Sequence, residues 1–135
     1  MSVLVLYLAA LVVFLVVDAV MLTLVMRPLF ERHVSALMLA EPRLAVAGLF
    51  YAIYVGGLVW FAGLPALAGG SLWAAARDAA LIGLLAYGTY ESVNMSTLRG
   101  WSWQMVATDT LWGMVLSAGS LVAGVLIARA LGYGA

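Results

Sequence analysis

From Val3 to Met26 the chain carries a single charged side chain, Asp18, in an otherwise apolar run. A helix needs about 20 apolar residues to cross a hydrocarbon layer of ~30 Å, so this run is long enough to span a bilayer. Three similar runs follow. The second starts after Arg43 and extends from Leu44 to Leu67, ending at Ala68-Gly69-Gly70. The third follows Ser71-Leu72-Trp73, holds Arg77 and Asp78 in its first turns and reaches Leu98, where Arg99-Gly100 breaks it. The fourth runs from Ser102 to Ala128 and closes at Arg129. The first run closes at Arg27-Pro28. Long, unalternated runs point to helices, because barrel strands alternate apolar and polar residues.

Composition agrees. The chain is 67% hydrophobic and 9% charged, against roughly half and about a quarter in soluble domains. So little charge cannot cover a water-facing surface. The predicted fold class is all-α integral membrane. The expected architecture is a bundle of four transmembrane helices forming one domain over residues 1–135.

Several chemistries are excluded early. Six arginines balance six acids and lysine is absent, so there is no basic stripe for nucleic acid. Cysteine is absent and His33 is the only imidazole, which removes thiolate sites, HExxH chemistry and bis-histidine haem. No metal and no cofactor are expected. The start of the chain lacks a basic n-region, and the first run is too long for a cleavable signal.

The connection from Arg27 to Arg43 is not purely polar. Phe30, Val34, Leu37 and Met38 recur at helical spacing against Glu31, Arg32 and Ser35. This spacing predicts a short amphipathic helix in the interface between the first two spans. With four spans both termini share one side. Arg27, Arg32, Arg43 and Arg99 fall on the opposite side, and Arg77 and Arg129 on the terminal side. The positive-inside rule then places the arginine-rich end in the cytoplasm and both termini outside a bacterial inner membrane. The four arginines are expected to anchor lipid head groups.

The polar exceptions within the spans carry the functional information. They are Asp18, Glu91, Asn94 and Asp109, accompanied by Tyr51, Tyr54, Tyr87, Tyr90 and Trp112. An acid at mid-bilayer costs ~2.5–3.5 kcal/mol even on the mildest scale, so such groups usually face the bundle interior. At about 1.5 Å per residue, Asp18, Tyr51, Glu91 and Asp109 each lie roughly 10–13 Å inside the arginine-rich boundary. All four helices thus bring polar groups to the same half. Tyr87, Tyr90, Glu91, Asn94 and Leu98 share one face of the third helix, and Thr108, Asp109, Trp112 and Gly113 share one face of the fourth. Gly83 invites close approach of a neighbouring helix. Ser120, Gly124 and Ala128 form a small-residue ridge for packing within the bundle or between protomers.

The stretches Tyr87-Gly-Thr-Tyr-Glu-Ser-Val-Asn94, Thr97-Leu-Arg-Gly-Trp101 and Asp109-Thr-Leu-Trp-Gly113 resemble an uncharacterised bacterial membrane family catalogued as domain of unknown function 2177. Asp18 and the segment Phe50-Tyr51-x-x-Tyr54-Val fit the same resemblance, which covers nearly the whole chain. Two positions depart from it. The family commonly has Asp where this chain has Glu91, and Trp where it has Met21. The resemblance implies the fold and the polar positions and supplies no reaction.

Three functions fit these residues. The first is a site in one membrane half that binds or transports a small cationic or amphipathic ligand, coupled to protons, through the three acids, Asn94, the four tyrosines and Trp112. The second is a structural or regulatory subunit whose polar residues only fix helix packing, with Arg99 and Asp109 as an interfacial ion pair. The third is a lipid-modifying enzyme with arginines on a phosphate and carboxylates as acid or base. No metal-binding aspartate repeat supports the third, so an enzyme is disfavoured and no catalytic residue is assigned. The expected partners are the bilayer, a small-molecule or lipid ligand, and further copies of the chain.

Overall fold

The computed structural model describes residues 1–134, and among them the chain is helical with no strand. Four long helices run in sequence: α1 (Ser2–Leu37), α2 (Leu44–Leu67), α3 (Leu72–Thr97) and α4 (Trp103–Ala130). Ser71 Oγ caps α3 by accepting from the Ala74 N–H at 3.2 Å, and Ser102 Oγ caps α4 through the Met105 N–H at 3.2 Å. Each cap satisfies an amide that has no partner inside its helix.

α1 does not stop at Arg27-Pro28. It continues through a π-helical turn at Leu22–Met26 into the α-helical segment Arg27–Val34 and a last 3-10 turn at Ser35–Leu37. The same device recurs in α2, where the π turn Val59–Gly63 precedes Leu64-Pro65. In both, the residue before proline donates to the carbonyl five back, Arg27 to Leu22 and Leu64 to Val59. Proline lacks an N–H and its ring crowds the carbonyl four residues earlier. A wider turn just before it moves that carbonyl aside, so the helix passes through. The amphipathic segment is therefore a continuation of the first helix, not a separate one. Leu29 and Val34 are buried on it, while Glu31, Arg32 and His33 are exposed.

Among the described residues, three helices are long and apolar enough to cross a membrane: α1, α2 and α4. α3 is 26 residues long but stands outside that set. Arg77, Asp78, Glu91 and Asn94 lower its hydropathy. Large apolar side chains face outward, among them Val12, Val16 and Leu24 on α1 and Phe50, Trp60 and Phe61 on α2. So much exposed apolar surface suits lipid rather than water.

Contact is broadest between α3 and α4, and next between α1 and α4. Small residues set both distances. A Cβ on Gly83 would collide with the Gly113 carbonyl, and one on Gly113 with the Tyr87 ring. A Cβ on Gly124 would come within 2.9 Å of the Ala10 Cβ. Ser120, Gly124 and Ala128 are all buried, so their ridge packs inside the bundle. α2 joins through Val55, Leu58, Val59 and Ala62. Arg129 Nη2 donates to the Ala66 carbonyl at 2.9 Å, tying α4 to the end of α2.

Candidate functional site

Asp18 lies on the buried stripe Leu6, Ala10, Phe14, Asp18 of α1 and is only 4% exposed. The four-residue spacing that buries Phe14 turns the Asp18 carboxyl inward as well. The Trp112 indole N–H on α4 donates to its Oδ1 at 3.0 Å. Its Oδ2 is buried with no partner. The Tyr51 hydroxyl on α2 faces the same carboxyl.

Glu91 on α3 is fully buried. The Trp101 indole N–H donates to Oε1 at 3.0 Å, and Oε2 has no partner. The half-buried Asp109 on α4 turns its carboxyl toward Glu91 and stands within electrostatic reach of Asp18. Two carboxyls bond to each other only when one of them holds a proton.

Aromatic rings join these acids into one layer. Phe14 packs on Tyr51 and Tyr54 with ring centroids 5.3 and 5.8 Å apart. Tyr54 meets Tyr87 edge-on at 6.1 Å, and its hydroxyl shares a 2.7 Å hydrogen bond with Ser117 Oγ on α4. Tyr90 lies at the rim, 53% exposed, with its ring edge-on to Trp101 at 6.2 Å. Asn94, one turn further, faces the Tyr90 hydroxyl. The structure thus gathers Asp18, Tyr51, Tyr54, Tyr87, Glu91, Asp109 and Trp112, and leaves Tyr90 and Asn94 at the edge.

Among the described residues, no arginine bonds to any of the three acids. Arg27 pairs with Glu31 and Arg77 with Asp78, each at 3.0 Å, and Arg129 serves backbone carbonyls. The expected Arg99–Asp109 ion pair is not formed among the described residues; Asp109 turns to Glu91 instead, which brings two acids together with no cation beside them. The three acids do not gather at metal-ligand spacing among the described residues.

Three contributors are not evident from the spans alone. Phe14 and Ser117 lie on the same helical stripes as Asp18 and Gly113, so periodicity points to both. Trp101 reads as an interfacial belt residue, but the α3–α4 turn folds it back onto Glu91, and no repeat signals that. An open groove of about 750 Å³ lies on the outer side of α3 and α4, between Gly88, Ser92, Val106 and Thr110. None of the three acids lines it.

A family model described as predicted membrane protein, domain of unknown function 2177, matches residues 3–126. No curated protein and no solved structure matches the chain.

Proposed function

The chain belongs to this family of predicted membrane proteins, and from that premise we propose that its buried acid and aromatic layer binds a small cation in exchange for a proton. On this reading all four helices span a bacterial inner membrane, the segment Arg27–Leu37 lies at the cytoplasmic interface, and both termini are outside. Arg27, Arg32, Arg43 and Arg99 then stand at the head-group level.

One observation carries the proposal. Asp18 and Glu91 are almost wholly buried, and among the described residues each keeps an oxygen without a partner and no arginine bonds to either. A buried anion without a partner is costly, so something positive completes the layer. No described residue supplies such a group, which leaves a proton or a bound cation. The Glu91–Asp109 pair suits a shared proton. The faces of Tyr51, Tyr54, Tyr87 and Trp112 suit an organic cation, since aromatic rings attract cations through their quadrupole. The acids line neither of the two open grooves at the helix surfaces, which favours a compact ligand.

A titration of the purified chain with tetramethylammonium, in a weakly buffered detergent solution, tests this. Saturable binding with proton release is expected, with affinity falling about tenfold or more in Asp18→Asn and Glu91→Gln. Both variants are expected to keep their helical content. Equal binding by all three proteins, or no binding by any, overturns the proposal.

The packing reading has its own support. The bonds Asp18–Trp112, Glu91–Trp101 and Tyr54–Ser117 each tie two elements together. A scaffold predicts that Asp18→Asn and Glu91→Gln lower thermal stability and leave ligand titrations flat.

A further inference from the structure

At the arginine-rich end, a separate open pocket of about 440 Å³ lies between the last turns of α1 and the α3–α4 connection. His33 and Arg99 line it with the hydroxyl residues Ser35 and Thr97, and Leu37 and Leu98 also contribute. We infer that this pocket binds a phosphate group, and that in the bilayer the group belongs to a phospholipid head.

The pocket is built by the turn itself. Gly100 adopts φ +79°, and a Cβ there would sit 2.7 Å from the His33 carbonyl. Only glycine combines that backbone with so close an approach. The α3–α4 turn therefore rests on the end of α1 and sets Arg99 beside His33. The neighbouring Trp101 fixes the same turn from its other side, meeting Phe30 edge-on at 5.3 Å and bonding Glu91.

The chemistry of the lining selects an anion with an apolar continuation. No carboxylate lines the pocket, and Arg99 has no ion-pair partner among the described residues. Arg27, by contrast, is already engaged by Glu31. A guanidinium offers a planar fork of donors that fits phosphate oxygens, and the imidazole and the Ser35 hydroxyl add donors of their own. Leu37 and Leu98 carry the apolar side of the pocket, as an acyl chain requires.

The test uses the purified full chain in a maltoside detergent, which contains no phosphate. Dihexanoyl phosphatidylglycerol, dihexanoylglycerol and inorganic phosphate are each titrated, with binding read by native mass spectrometry and by the unfolding midpoint. The phospholipid is expected to bind once and raise the midpoint, while dihexanoylglycerol does neither. Arg99→Gln is expected to weaken phospholipid binding about tenfold, and Arg77→Gln, at the other end of the bundle beside Asp78, to leave it within about twofold. Arg99→Lys keeps the charge without the fork and falls between them, which covers failure of Arg99→Gln to fold. Competition by inorganic phosphate at matching concentration assigns the pocket to free phosphate; its absence assigns it to the lipid. Equal binding of dihexanoylglycerol, equal loss in Arg77→Gln, or no loss in either Arg99 variant overturns the inference. The outcome is independent of the tetramethylammonium titration, because among the described residues neither His33 nor Arg99 bonds to a buried acid.

Discussion

The two halves of the bundle are held together by different physics. Towards the termini, the core is Leu6, Ala10, Ala66, Leu121, Val125 and Ala128, with Gly63 and Gly124 admitting their neighbours. Nothing there depends on a buried acid, and Arg129 reaches out to carbonyls at the helix ends. Towards the arginine-rich end, the same helices meet through Asp18, Glu91, Asp109 and the tyrosines. Two of those acids keep an oxygen without a partner. In lipid there is no hydrophobic drive between helices, so close packing of small residues must hold a bundle. The terminal half meets that need, which frees the other half to hold groups that packing alone would exclude.

The contrast is breakable, and the largest effect is expected at the closest helix approach. Gly83→Leu drives a side chain into the Gly113 backbone, where nothing can rotate away. Overpacking of this kind costs about 1–3 kcal/mol, or more where backbone must move. The α3–α4 pair is expected to separate, seen as loss of the cooperative unfolding transition in detergent. An unfolding midpoint close to that of the unaltered chain would show that small-residue contact is not what holds the bundle.

A middle effect is expected for Trp112→Phe. It removes the Trp112 hydrogen bond to the Asp18 carboxyl and leaves a buried acid without its indole donor, at about 1–2 kcal/mol. Adding Asp18→Leu in the same chain removes the stranded acid, so the double variant is expected to recover most of the lost stability. A double variant no better than the single one would assign the cost to lost ring packing. The smallest effect is expected for Tyr54→Phe. That change deletes the Tyr54–Ser117 bond but keeps the ring against Phe14 and Tyr87. Interhelical bonds in membranes average about 0.6 kcal/mol, so the shift in unfolding free energy should be of that size. A shift several times larger would favour the packing reading of the whole layer.

Much of this was legible in the sequence because the rules involved are local. Apolar run length identified the helices, and rise per residue brought Asp18, Tyr51, Glu91 and Asp109 to one depth. Helical periodicity placed Tyr87 and Glu91 on one face of α3. The partners were not legible, since pairing across helices depends on rotation about each axis. Trp112 therefore reads as a neighbour of Asp109 but bonds Asp18, and Asp109 reads as a partner for Arg99 but faces Glu91. Trp101 was hidden for another reason: a positive-φ glycine reverses the chain and returns it to the site. Pro28 misled because a proline ordinarily ends a helix, and a π turn just before it lets the helix continue.

That turn has a consequence for register. Each residue advances a helix by about 100°, and a π turn accommodates one residue more than an α turn does. The stretch Leu22–Met26 therefore acts as a fixed gear between two parts of one rod. Above it, every fourth residue from Leu6 to Asp18 points inward; below it, Met26, Leu29 and Val34 do so against Met105. Removing a single residue from the gear would restore a plain α-helix with both parts still facing inward, but straightening it with every residue kept would swing the lower part by about 100°. Leu29 and Val34 would rotate outward and His33 would leave the α3–α4 turn, while Asp18 and everything above it kept its place.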